Sequence, residues 1–108
     1  MNHEVRLSEY AERDLEEIAD FIATYDSPGK AELVVERIQR AVDSLANTPH
    51  RGAYPPEALE FSNQEFREIF FKPYRIVYHV SGQTVMVLLI GDGRRNMREL
   101  LRRRLEEA

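Results

Sequence analysis

The chain has no cysteine. That excludes a disulfide, a thiolate nucleophile and a zinc–thiolate site. It also lacks an apolar run long enough to span a bilayer, which takes about 20 residues, and has no signal-peptide pattern at its start. A reducing cytoplasm, away from membranes, is therefore the expected setting. Metal-ligand patterns are equally scarce: His3, His50 and His79 are the only histidines, no two stand at helical spacing, and none sits in a carboxylate-rich motif. No metal or other cofactor is expected. Ser8, Ser27, Ser44, Ser62 and Ser81 include no nucleophile elbow, and Gly91 and Gly93 lack the further glycine or the lysine–hydroxyl pair of a phosphate-cradling loop.

What is present suits one compact domain over residues 1–108, with a hydrophobic share of 43% and a charged share of 31%. The formal net charge is -4, but it is distributed unevenly. Met1 to Glu32 holds three basic and nine acidic side chains, Leu33 to Glu60 three and four, and Phe61 onward nine and six. Such a gradient places opposite fields on different faces, so overall acidity does not exclude an anionic partner. It does argue against broad wrapping of nucleic acid, which requires many neutralised phosphates.

Glu4 to Leu7 reads as a short strand stopped by Ser8, a helix cap. Ala11, Leu15, Ile18, Ile22 and Tyr25 then recur at helical spacing, with Glu12, Asp14, Glu16, Glu17 and Asp20 mostly on the other side. Ser27 and Pro28 start a second helix, because proline at the first helical position gives up an amide that would have no partner anyway. Ala31, Val34, Val35, Ile38, Val42 and Leu45 carry that helix to about Ala46, where Asn47-Thr48-Pro49 ends it and completes an antiparallel hairpin. His50 to Glu60 shows no period and is long for a connection, which marks it as functional or mobile. Phe66–Phe71 and Tyr74–Val80 read as strands around a Lys72-Pro73 turn. TVMVLLI, from Thr84 to Ile90, reads as a central strand covered on both faces. Asn96 caps a final helix whose stripe is Met97, Leu100, Leu101 and Leu105. The expected fold is α+β: a short amino-terminal strand and a helical hairpin packed on a three- to four-stranded antiparallel sheet, with a carboxyl-terminal amphipathic helix.

The paired carboxylates Glu16-Glu17 and Glu106-Glu107 read as solvated helix surface. His79 shares a strand face with Arg75 and Val77, where an imidazole near guanidiniums has the chemistry of a general acid or base. Arg67 and Arg75 fall on neighbouring strands and Arg94 and Arg95 at the next strand's exit, so four guanidiniums are expected to converge on phosphate or carboxylate. Ion pairing with Glu65, Glu68 and Asp92 is the competing arrangement. Arg98, Arg102, Arg103 and Arg104 read as the wet face of the last helix.

In order along the chain, VRLSEYAERDLEEIADFI, AVDSLANTPHRG, FREIFFKPYRIVYHV and VLLIGDGRRNMRELLRRRL resemble the RelE/ParE superfamily of type II toxin–antitoxin toxins, and its ParE-like branch in particular. The resemblance implies the fold above and a hetero-oligomer with a cognate antitoxin whose carboxyl-terminal segment wraps the toxin; an apolar, acidic segment is expected to lie across the hairpin or sheet and pair charges with the arginine cluster of Arg67, Arg75, Arg94 and Arg95. ParE-like members poison DNA gyrase and have no assigned hydrolytic site, whereas RelE-like members cut mRNA on the ribosome with basic residues and a tyrosine, or a histidine and tyrosine. Arg67, Arg75 and Arg95 match basic positions of the RNase branch. Ile69 stands where a lysine is expected, however, and Leu101 or Leu100 where the tyrosine is expected. The resemblance thus favours a gyrase-binding toxin over an enzyme. The alternatives are a ribosome-dependent endoribonuclease using Arg67, Arg75 and Arg95 with His79 as proton carrier, and a non-toxic remnant that still binds antitoxin.

Overall fold

The computed structural model describes residues 2–60 and 65–107; Ser62, set aside above as a nucleophile, lies outside the described residues. The elements are β1 (Glu4–Leu7), α1 (Glu9–Tyr25), α2 (Pro28–Asp43), a 3-10 turn (Ser44–Ala46), a 3-10 helix (Pro56–Glu60), β2 (Phe66–Phe71), β3 (Tyr74–Ser81), β4 (Thr84–Asp92) and α3 (Met97–Glu107). No helix among the described residues is long and apolar enough to cross a membrane.

The helix starts follow their capping chemistry. Ser8 Oγ accepts from Ala11 N and Ser27 Oγ from Lys30 N, each at 3.1 Å, and Pro28 opens α2. Asn96 Oδ1 accepts from Glu99 N at 3.1 Å, while the Glu99 side chain turns to Arg102. Each cap satisfies an amide that the helix cannot pair internally, which typically contributes about 1 kcal/mol.

The sheet order is β1-β4-β3-β2. β2, β3 and β4 form an antiparallel meander, whereas β1 pairs with β4 in parallel, so the sheet is mixed at that edge. The cause is topological: the helical hairpin is a crossover long enough to return the chain in the same direction. Gly82, at φ 60, makes the tight β3–β4 turn in a region that disfavours side-chain-bearing residues.

A bulge gives β4 its two-sided apolar sequence. Tyr78 stands opposite Val87 and Val77 opposite Leu89, which leaves Leu88 as the extra residue. The alternation changes phase there: Val85, Val87 and Ile90 join Ile38, Val42, Leu45, Ile69, Ile76 and Tyr78 under the helical hairpin. Leu88 and Leu89 join Val77, Phe66, Ala58, Met97 and Leu101 under α3. The sheet thus separates a larger core from a smaller one, and each fully buried Ile, Leu or Val contributes about 1.5–3 kcal/mol.

Residues 50–60, expected to be functional or mobile, are fastened. Ala53 and Glu68 exchange backbone hydrogen bonds, and Tyr78 Oη, fully buried, donates to Pro49 O at 2.7 Å while accepting from Gly52 N at 3.1 Å. A Cβ on Gly52 would lie 2.6 Å from Tyr78 Oη and 2.8 Å from Glu68 O, so only glycine permits this approach.

Candidate functional site

The four guanidiniums expected to converge do not. The two-residue turn sets Phe71 opposite Tyr74, which puts Arg67 opposite Tyr78 and Phe70 opposite Arg75. Opposed residues share a face and neighbours alternate, so Arg67 lies on the face of the helical hairpin and Arg75 on the face of α3.

Each is also held by its surroundings. Arg67 Nη1 donates to His50 O and Gly52 O, both at 2.9 Å, and Nη2 to Glu65 Oε1 at 2.6 Å and Tyr54 Oη at 3.1 Å. Its guanidinium also lies over the Tyr54 ring, 4.7 Å from the centroid. Glu65 in turn is lowered in pKa by the hydrogen bonds from Tyr54 and Arg67. On the other face, Arg75 makes a two-pronged pair with Glu57 at 2.9 and 2.8 Å and donates from Nε to Glu68 Oε1 at 2.7 Å. The Glu68 and Arg75 side chains keep only 5% and 14% exposure. The hydrogen bond to Glu57 raises the Arg75 pKa, and the bond from Arg75 lowers that of Glu57. The pairing with Glu65 and Glu68 is the competing arrangement foreseen from the sequence; Glu57 is an addition from the fastened segment.

Arg94 and Arg95 behave differently. Both are exposed at the exit of β4, beside a groove of about 330 Å³ floored by Ile18, Phe21, Ile22, Tyr74 and Ile90. Arg94 forks onto Asp92, which its hydrogen bonds hold below the usual carboxylate pKa. Arg95 makes no side-chain hydrogen bond or ion pair with the described residues and lines the groove opposite Asp14 and Glu17 of α1. Of the four arginines, these two are the exposed ones.

Arg104 departs from its expected place on the wet face of α3. Its Nη1 and Nη2 donate to the Asp14 carboxylate at 2.8 and 2.9 Å, and Nη1 also reaches Leu88 O at 2.6 Å. Asp14 Oδ2 accepts from Ile90 N at 3.0 Å. β1 ends at Leu7 and cannot pair with the bulged part of β4, so this buried ion pair satisfies the backbone groups that a longer β1 would have satisfied. Burial opposes the Arg104 charge, but the Asp14 carboxylate outweighs it and the pKa rises. Arg98 and Arg102 conform to the solvated reading, paired with Glu60 and with Glu99 and Glu106.

His79 shares its face with Arg75 and Val77, as expected, but stands four residues from Arg75, roughly 13 Å along a strand. Its ring meets Phe66 edge-on with centroids 5.9 Å apart, and burial lowers its pKa. Leu101 is 1% exposed in the smaller core and Ile69 is 3% exposed in the larger one, so neither position presents a side chain to a substrate. Sequence reading missed Glu57 and Asp14, partners 18 and 90 residues away from the arginines they hold. Turn length at Lys72-Pro73 was the available signal for the opposed faces of Arg67 and Arg75.

A helical hairpin on one face of a four-stranded meander-based sheet, with a short helix on the other, is the fold of the RelE/ParE toxins. Several solved structures share it. The chromosomal ParDE toxin–antitoxin system from P. aeruginosa matches with TM-score 0.69 and 24% identity over 83% of this chain and 95% of that one. The RelBE2 toxin–antitoxin complex from Mycobacterium tuberculosis gives 0.60 and 18% over 85% and 99%. An arginine-to-alanine double mutant of E. coli toxin RelE in the free state gives 0.64 and 14% over 99% and 98%. Among curated protein sequences none matches this one. The family model for the ParE toxin of the type II toxin–antitoxin system parDE matches residues 5–97, and the chain belongs to that family.

Proposed function

We propose that this toxin inhibits DNA gyrase by binding it in the cytoplasm, without a hydrolytic step, and that a cognate antitoxin holds it inactive in a hetero-oligomer. One observation carries the reading: Arg67 and Arg75, the sheet arginines that match basic positions of the RNase branch, sit on opposite faces and are spent on internal carboxylates and carbonyls. A phosphoryl-transfer site needs positioned charge and a proton carrier within hydrogen-bond reach of one substrate. His79 stands beside Phe66 instead. The antitoxin partner is supported by the ParDE and RelBE2 neighbours, both toxin–antitoxin systems. We assign its acidic segment to the groove beside Arg94 and Arg95, since the Arg75 guanidinium is engaged by Glu57 and Glu68 and its side chain is 14% exposed, against 78% for Arg94. Induction of the toxin without its antitoxin tests the reading. Growth arrest with linearised plasmid is expected; codon-position cuts in translated mRNA would establish the endoribonuclease alternative, and healthy growth the non-toxic remnant.

A further inference from the structure

A second surface adjoins the groove beside Arg94 and Arg95, and shares Phe21, Ile22, Tyr74 and Arg94 with it. Near the tip of the helical hairpin, Phe21 and Tyr25 lie one turn apart on α1 with ring centroids 4.8 Å apart. They are 64% and 76% exposed, and Leu33 of α2, beside them, is 45% exposed. Ile18, Ile22 and Val34 already turn inward to seal the hairpin on the sheet, so the fold has no use for these three. Lys30, Arg37 and Lys72 surround them, all exposed and none in an ion pair among the described residues; Asp26 is the one acidic side chain lining this concavity of about 620 Å³. Lys30 and Lys72 are the only lysines in the chain.

We infer that this knob is the surface by which the toxin engages its target, seating Phe21 and Tyr25 in a pocketed, acid-rimmed surface of folded gyrase protein. Exposed apolar clusters rimmed by charge mark protein-interaction surfaces, and protruding aromatic anchors fill pockets on a folded partner. The unpaired cations require carboxylates opposite them. A nucleic-acid backbone fits poorly, because the exposed Glu17 and Asp20 of α1 stand one turn and one residue before Phe21 and repel phosphate. This inference rests on the gyrase reading and goes beyond it by naming the contact.

The test uses the full chain, purified gyrase and a lysine acetylating reagent. Lys30 and Lys72 should become several-fold less reactive when gyrase is added and stay fully reactive with DNA alone. The double variant F21Q/Y25Q, which changes two exposed side chains and should melt like the parent, should need at least about tenfold more protein to block supercoiling. Unprotected lysines, protection by DNA alone, or a variant as potent as the parent would overturn the inference while leaving gyrase inhibition standing. A parent chain that neither binds nor inhibits gyrase would overturn both.

Discussion

The arginines of the sheet and those at its exit share a side chain but not a role, and the difference lies in what the fold sets beside them. Arg67 and Arg75 look into segments that bring Glu65, Glu57 and Glu68 within hydrogen-bond distance, and they become struts between the sheet and residues 50–60. Arg94 and Arg95 follow a Gly-containing turn where the chain leaves the sheet, and they keep donors toward the groove. A guanidinium is thus available to a partner only where packing leaves it exposed, as it does Arg94 even with its fork onto Asp92. Residue type and sequence neighbourhood do not settle this; register and long-range packing do.

Removing a strut should cost far more stability than removing an exit arginine, and the largest effect is expected at Arg75. Arg75→Ala leaves Glu57 and the buried Glu68 uncompensated and should destabilise the protein by about 3–5 kcal/mol in urea denaturation. Arg75→Met combined with Glu57→Gln and Glu68→Gln should recover much of that loss; no recovery would mean the residues do not act as one network. Arg104→Ala strands Asp14 and Leu88 O and should cost about 2–3 kcal/mol, with faster amide exchange in α3 as the specific sign. Tyr78→Phe leaves Pro49 O without its donor and should cost about 1–2 kcal/mol, with exchange rising over residues 49–54.

Protonation gives a smaller and separable effect. Burial depresses His79 below its ordinary 6.5, so the folded state favours the neutral ring. Its contribution is complete above pH 6.5 and is lost as pH falls through the folded value. Glu57, depressed below 4.5 mainly by the hydrogen bond from Arg75, contributes fully above pH 4.5 and loses that contribution below it. His79→Gln should therefore flatten the stability profile as pH falls below 6.5, and Glu57→Gln only the part below pH 4.5. The smallest effect on folding belongs to the exit arginines. Arg94→Glu with Arg95→Glu should leave the melting temperature unchanged and weaken the antitoxin complex; tight complex formation would remove the groove from the antitoxin's path.

Local structure was largely legible in the sequence. The Phe66–Phe71 strand, the caps Ser8, Ser27 and Asn96 and the double-faced TVMVLLI strand depend on nearby residues, and the structure places them where their chemistry directs. The parallel pairing of β1 and the bulge at Leu88 depend on how distant segments meet, which periodicity does not report. The same limit governs the site. Glu65 and Glu68 lie close enough to their arginines to be foreseen as partners, whereas Asp14 looked like one more acidic residue on a polar helix face. Its burial against Arg104 arises only when α3 crosses the bulged end of β4.

The most direct measurement exposes purified toxin to gyrase with supercoiled plasmid and, in parallel, to translating ribosomes. Binding without hydrolysis predicts blocked supercoiling, no new mRNA ends, and the same behaviour from His79→Ala. New ends in translated mRNA, lost in His79→Ala, with gyrase unaffected, would contradict it.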